Sequence, residues 1–434
     1  MNDAREGLAH WAARGALGLA LLLHLLFLVH LRTQELNPLF VETTYSPGQA
    51  ADFFGIYGAG DQLLHGRTIY YSADYAGRAG DPPYDGRVPY FYFYRYLPPT
   101  AYVAALAAML LAPWPAYWLW IVLNEAMMLF FVLSLRRTRA SPNLKLALAA
   151  IALGSFPFAL EQWMGQFSFT MAMLLWIAAF PSLLGQDRSE ESWRDCARRL
   201  DWWGWTTAVG LKNYPALVGL THLRQGRWRR VAGAALAVTL ISLPYYLLRP
   251  EDLRQFLLLN FRPLPPNLLA GSYGMVSLVR DVSTRLLHGV ADQRIVIGPL
   301  DLWVLGLPVM AWSFLVLAVA GFVTWRAGRT QATVDGICLW TLAFFLIFKD
   351  IWEYHYVMLL PIIVSLALRG SPRVPLVLGT LLSLPTPFVL YAPLVGESAP
   401  TTWPLGLGLL HYGSKAIPTL LLFVHTARRM LGRS

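Results

Sequence analysis

The sequence predicts an all-α, polytopic membrane bundle, and three observations predict it. Hydrophobic residues make up 56% of the 434 and charged residues only 14%, against roughly 25% charged in soluble domains. At least ten apolar runs recur along the chain, several near the ~20 residues that cross a bilayer. Between them lie short clusters of arginine, as expected of cytoplasmic loops. The runs predict roughly 11–13 transmembrane helices in one domain over residues 1–434.

The first run, residues 15–31, follows Arg5 and Arg14 and precedes "RTQELNPLF". No small-residue cleavage site follows it, so an uncleaved anchor is expected. Further spans are read near 115–135, 144–160, 166–184, 230–248, 302–325, 333–350, 354–369, 374–391 and 405–427. The basic clusters at 135–139, 197–199, 224–230, 325–329, 369–373 and 427–433 place those ends, and both termini, in the cytoplasm. The loops 32–96 and 249–301 then lie outside, although the second carries six arginines beside five acids.

Two stretches break the simple alternation. Between 197–199 and 224–230 lies one apolar stretch, which needs an even number of crossings. Two half-helices meeting at "LKNYP" (211–215) satisfy this, because Lys212 and Pro215 disfavour one plain span. Residues 97–135 must cross an odd number of times, so one of their two apolar runs lies along the membrane or re-enters it. Such backbone survives at membrane depth only inside protein or beside a wet cavity.

The net charge is +10, which here reflects loop arginines and does not point to nucleic acid. Cys196 and Cys338 lie far apart, with neither a disulfide framework nor a zinc spacing. No glycine-rich phosphate loop appears.

The first outer loop contains "SPGQAADFFGIYGAGDQLLHG", 46–66. Ser46 as cap, Pro47 at the first helical position and Gln49 completing a capping box predict a helix start. Gly66 predicts its stop. Phe53, Ile56, Gly60, Leu63 and Leu64 share one face; Asp52, Gly55, Ala59 and Gln62 share another. The second face sets a carboxylate beside missing side chains, with room for a ligand. The helix is expected to lie at the outer interface. On residue type alone, a solvated surface acid is an equal reading of Asp52.

Other costly polar residues fall at the same expected end of the spans: Arg95 among aromatics, Glu161 and Gln166 in "LEQWMGQFSF", Lys212, and Asp350, Glu353 and His355 in "FKDIWEYHYVMLLP". Ionisable groups at membrane depth are functional candidates. Each also has a structural reading: snorkelling for Lys212, an aromatic belt for His355, a lipid-phosphate anchor for Arg95, packing for Glu161 and helix-end satisfaction for Gln166.

Taken in order, "DFFGIYGAGDQLLHGRTIY", "YLPP", "GQ" at 165–166, "GLKNYP" and "WEYHY…LLP" resemble the GT-C superfamily of integral-membrane glycosyltransferases. Within it they resemble glycosyltransferase family 87, the bacterial polyprenyl-phosphate-mannose-dependent mannosyltransferases and their relatives. The resemblance implies a GT-C-like bundle in the bacterial inner membrane with an extracytoplasmic site. It implies transfer of a hexose, mannose in the family, from a polyprenyl-phosphate sugar to a lipid or glycan acceptor. Asp52 is then the general base and His355 a second catalytic residue, with Tyr57, Arg95, Glu161, Gln166, Lys212 and Glu353 expected to bind substrate. No cofactor is expected. Superfamily members often pair acids in this loop to hold a metal, whereas Ala51 and Phe53 flank Asp52 here. A transporter or flippase of lipid-linked substrates is the alternative, since broken helices and buried charges mark those too. A membrane acyltransferase or polysaccharide ligase is a third.

Overall fold

The computed structural model describes residues 2–36, 48–70, 88–89, 94–180, 183, 191–261, 272–287, 289–290, 293–297, 300–328, 332–395 and 402–432. In order the helices are α1 (Asn2–Thr33), α2 (Ala51–Leu64), α3 (Pro98–Leu110), α4 (Pro113–Ser134), α5 (Pro142–Leu153), α6 (Phe156–Met164), α7 (Ser168–Ala179) and α8 (Glu191–Leu211). Then come α9 (Gly219–Arg224), α10 (Trp228–Leu248), α11 (Pro250–Phe261) and α12 (Met275–Leu286). A two-stranded antiparallel hairpin follows, β1 (Arg294–Ile297) with β2 (Leu300–Trp303), Arg294 opposite Trp303. The chain continues as α13 (Gly306–Arg326), α14 (Thr333–Ile347), α15 (Leu360–Arg369), α16 (Arg373–Ser383), α17 (Phe388–Val395) and α18 (Leu405–Leu431). Short 3₁₀ segments occupy Tyr214–Val218 and Glu353–Leu359.

Among the described residues, six stretches are long and apolar enough to cross a membrane: Ala9–Thr33, Pro113–Arg137, Pro142–Met164, Trp228–Leu248, Gly306–Arg326 and Leu405–Leu431. Four shorter apolar helices, α3, α7, α14 and α16, accompany them. Leu22, Leu25 and Val29 of α1 and Phe314, Leu315 and Phe322 of α13 are exposed, an apolar surface that suits lipid rather than water. The protein is an all-α polytopic membrane protein. Several expected spans are broken helices: 144–160 divides at Gly154–Ser155, and 354–369 begins as a 3₁₀ turn.

The bundle has two distinct ends. At one end, Arg224 donates to the Trp325 carbonyl, Arg227 to Thr333, and Arg369 and Arg429 both pair with Asp335. The basic clusters of four separate loops therefore meet. Helix α14 begins at this end and finishes at the other, and it is buried along nearly its whole length.

Both irregular stretches contain backbone that does not cross as one plain span. Helix α8 stops at Leu211 and the chain turns back through Tyr214–Val218 into α9. The Trp205 indole donates to the Pro215 carbonyl at 2.7 Å, and Asp201 pairs with Arg230 at 2.9 Å. The two limbs thus return to one end, breaking at "LKNYP" as expected. In 97–135 the short element is α3. Its 13 residues reach only about 20 Å at 1.5 Å per residue, short of the ~30 Å core.

Helix α2 starts later than its capping signals predict. It begins at Ala51, with Ala50 at φ 63 as its first turn's hinge. Gln49 completes no capping box: its amide donates to the Leu31 carbonyl and to Tyr117. Ser46 and Pro47 lie outside the described residues. The stop at Gly66 is as expected: Gly66 has φ +65, and the Arg67 amide reaches back to the Gln62 carbonyl at 2.9 Å. On the face that carries Asp52, open space adjoins Asp52 itself, whereas Ala59, two turns on, is closed by packing. On the other face, a Cβ on Gly60 would stand 2.4 Å from the Ala104 carbonyl carbon, so Gly60 lets α2 and α3 touch. Ala59 packs among Ala101, Tyr70 and Tyr245.

Candidate active site

Three chain turns bring the polar residues together. The Ala50 amide donates to the Trp163 carbonyl at 2.7 Å, fastening the start of α2 to the end of α6. Gly165, at φ +69, ends α6 in the left-handed conformation, and the Gln166 amide bonds back to the Glu161 carbonyl at 3.1 Å. The third turn is the segment 350–355. Its strand-like residues are held by the Ser272–Trp352 bridge and the bond from the Tyr273 amide to the Ile351 carbonyl, 2.7 Å.

Between these turns lies a cleft enclosing about 1070 Å³, counted out to its open mouth. It is lined by Asp52, Arg95, Gln166, Lys212 and His355, together with residues the sequence did not single out. Asp52 is 6% exposed, and its Oδ2 has no hydrogen-bond partner. Helix α2 lies outside the membrane-crossing stretches. Burial pushes the Asp52 carboxyl up to about 6, against the opposing pull of hydrogen bonds from Gln166 and Tyr354 and of the charges on Lys212 and Arg95.

Gln166 is the junction of the cleft floor. Its Nε2 donates to the Tyr96 hydroxyl at 2.7 Å, while its Oε1 accepts from the Phe167 amide and from Lys212 Nζ. Lys212 sits at the break after α8, buried, donating to Ser168 Oγ at 3.0 Å. Its ammonium stands 4.6 Å from the Phe167 ring centre and 5.5 Å from that of Tyr96, a cation–π seat. Snorkelling is thus not its fate.

His355 has a defined tautomer. The Trp352 backbone N–H donates to its Nδ1 at 2.9 Å. Nδ1 is therefore an acceptor, and the ring proton rests on Nε2. As a lining residue, the imidazole is a hydrogen-bond donor rather than a base. At the mouth, Arg95 is 48% exposed and bonds Asp350 at 3.3 Å. The opposite wall is apolar: Tyr214 stacks on Phe344 at 4.4 Å, beside Phe348 and Met358.

Three expected site residues lie elsewhere. The Tyr57 hydroxyl donates to the Leu111 carbonyl at 2.8 Å and its ring packs against Phe53, because its position on α2 faces the α3–α4 junction. Glu161 is fully buried beneath the cleft floor, accepting from the Phe169 amide at 2.8 Å, close enough for its charge to act on Lys212. Glu353 is buried behind the cleft, facing Thr386 and Lys415. The structure adds Tyr96, Asn213, Asn260, Lys349 and Tyr354 to the lining. Tyr96 and Tyr354 adjoin singled-out residues, in "RYLPP" and "WEYHY". Asn260 lies on α11 with no sequence signal.

A buried carboxyl and several cationic or N–H donors line one cleft, with an apolar wall beside them. Fold and site together define a membrane protein with a polar, partly cationic cleft set beside an apolar wall. A model of the family described as glycosyltransferase family 87 matches residues 94–348, more than half of the chain. The chain belongs to glycosyltransferase family 87; it is a membrane glycosyltransferase, which decides against the transporter or flippase reading. The matched stretch holds Arg95, Glu161, Gln166 and Lys212, whereas Asp52 and His355 lie outside it. No curated protein and no solved structure matches the chain.

Proposed function

We propose that the protein moves a hexose, mannose by the resemblance, from a polyprenyl-phosphate sugar to a lipid or glycan acceptor at the extracytoplasmic face of a bacterial inner membrane. The observation that carries this reading is the unpartnered Asp52 Oδ2, set in a cleft whose other polar groups are mainly cations and donors. In the reaction, Asp52 takes the proton of the acceptor hydroxyl as that oxygen attacks the anomeric carbon. The bond from that carbon to the phosphate oxygen breaks, and its electron pair leaves with the lipid phosphate. Lys212, Arg95 and the Nε2–H of His355 receive the developing charge. One base and no covalent intermediate invert the anomeric centre.

A carboxyl near 6 is ionised at neutral pH yet more basic than an ordinary carboxylate, which suits a general base. The apolar wall of Tyr214, Phe344 and Phe348 suits the first isoprene units of the donor. The basic loops gathered at the far end of the bundle support the outward placement of the cleft. No step runs through a metal.

The test supplies the purified protein in vesicles with radiolabelled polyprenyl-phosphate hexoses and membrane lipid extract. Label in a new lipid or glycan is expected. Label transferred only from a nucleotide sugar overturns the reading.

A further inference from the structure

The turn that carries Tyr354 and His355 is fastened from two sides. On one side, Trp352 bridges Ser272, the Tyr273 amide bonds Ile351, and the Tyr356 hydroxyl donates to the Tyr273 carbonyl at 3.1 Å. On the other side stands Glu353, completely buried. Its Oε1 accepts from the Thr386 amide at 2.7 Å, from Thr386 Oγ1 at 2.8 Å and from Lys415 Nζ at 3.2 Å. Lys415, on α18, also donates to the carbonyls of Leu382 and Leu384, where α16 leaves carbonyls without helical partners. One carboxylate thus joins the catalytic turn to α16, to the chain after it and to α18.

A buried ion pair of this kind is a poor source of stability, since apolar residues of equal volume often do as well. What it supplies is direction. Successive side chains in a 3₁₀ turn leave about 120° apart. Holding Glu353 on the bundle side turns Tyr354 to the cleft, where it and Asp52 both form the lining. The same turn brings His355 to the cleft, with its Nδ1 closed on Trp352.

We propose that Glu353, clamped by Thr386 and Lys415, is a positioning residue that sets Tyr354 and His355 against Asp52 and the leaving phosphate. This rests on the reading of Asp52 as base. It replaces substrate contact as the role of Glu353, because no Glu353 atom lines the cleft.

The experiment is a pH profile of kcat for sugar transfer at saturating donor, with KM for the donor measured alongside. Asp52 is faced by Gln166, Tyr354, Lys212 and Arg95, with Tyr96 and Glu161 behind them. Of these, Glu353→Gln frees Tyr354. With the Tyr354 hydroxyl no longer held beside the carboxylate, the acid limb moves upward by about one pH unit. A fall in kcat of roughly tenfold or more is expected, with donor KM nearly unchanged. Thr386→Val removes one bond to Glu353 and moves the limb the same way by less, while Thr386→Ser keeps the wild-type profile. These two serve if Glu353→Gln does not fold. A limb that stays in place in Glu353→Gln and in Thr386→Val, with activity falling only as folded protein falls, overturns the positioning role alone. A wild-type profile without an acid limb, or transfer surviving Asp52→Asn, overturns the Asp52 reading and this inference with it.

Discussion

Replacing Asp52 by Asn should destroy catalysis and stabilise the fold. The folded carboxyl is raised from 3.8 to about 6 by burial. Folded Asp52 therefore binds its proton more tightly than unfolded Asp52 does. Stability is lost as pH rises from 3.8 through about 6, and stays lost above it. A shift of about two units corresponds to about 3 kcal/mol at 1.36 kcal/mol per unit. Asn has the same shape and does not ionise, so the variant escapes this cost. Its advantage should be absent at pH 3.8 and below, grow up to about pH 6, and remain constant above. The assay is thermal unfolding in one detergent at pH 4 and pH 7.5, followed by tryptophan fluorescence. An unfolding temperature several degrees above wild type is expected at pH 7.5 only. Sugar transfer should fall by roughly 10²–10⁴. A variant less stable than wild type at pH 7.5 refutes the reasoning, since Lys212 and Arg95 would then hold the carboxylate at a net gain. Stability given up at a reacting group for the sake of activity is a general trade.

Lys212→Met keeps the stem on Phe167 and Tyr96 but removes the ammonium; donor kcat/KM should fall roughly 10- to 100-fold while acceptor KM stays, and unchanged donor kinetics refute its role. Gly165→Ala forces a side chain into φ +69 with its Cβ 2.4 Å from Phe53 Cβ, beside Asp52. Left-handed strain and overpacking together cost about 2–5 kcal/mol, so both unfolding temperature and kcat should drop; a normal unfolding temperature shows that the contact relaxes freely.

The membrane class, the gathering of the basic loops at one end and the breaks at Lys212 and in 97–135 were legible because each depends on composition or local chemistry. Arginine clusters, a lysine inside an apolar run and a proline after it act where they stand. Arg95, Gln166, Lys212 and His355 stand out for a like reason, since polar groups near membrane depth are costly wherever they occur, and Asp52 stands out as a carboxyl beside small residues on its loop helix. The start of α2 falls later than its capping signals because tertiary bonds prevail over local capping, with Gln49 drawn to Leu31 and Tyr117 and Ala50 to Trp163.

The sequence by itself determined that the chain is a membrane bundle and which polar residues need an explanation. Only the tertiary structure decided which of them share a space. Glu161, Glu353 and Lys212 look alike in sequence, each an ionisable group in an apolar setting. One came to lie under the cleft floor, one behind the wall against Lys415, and one on the lining. Backbone turns at Ala50, Gly165 and Trp352 made that choice, because a side chain's neighbours across the bundle are set by where the chain bends and not by its own residue type.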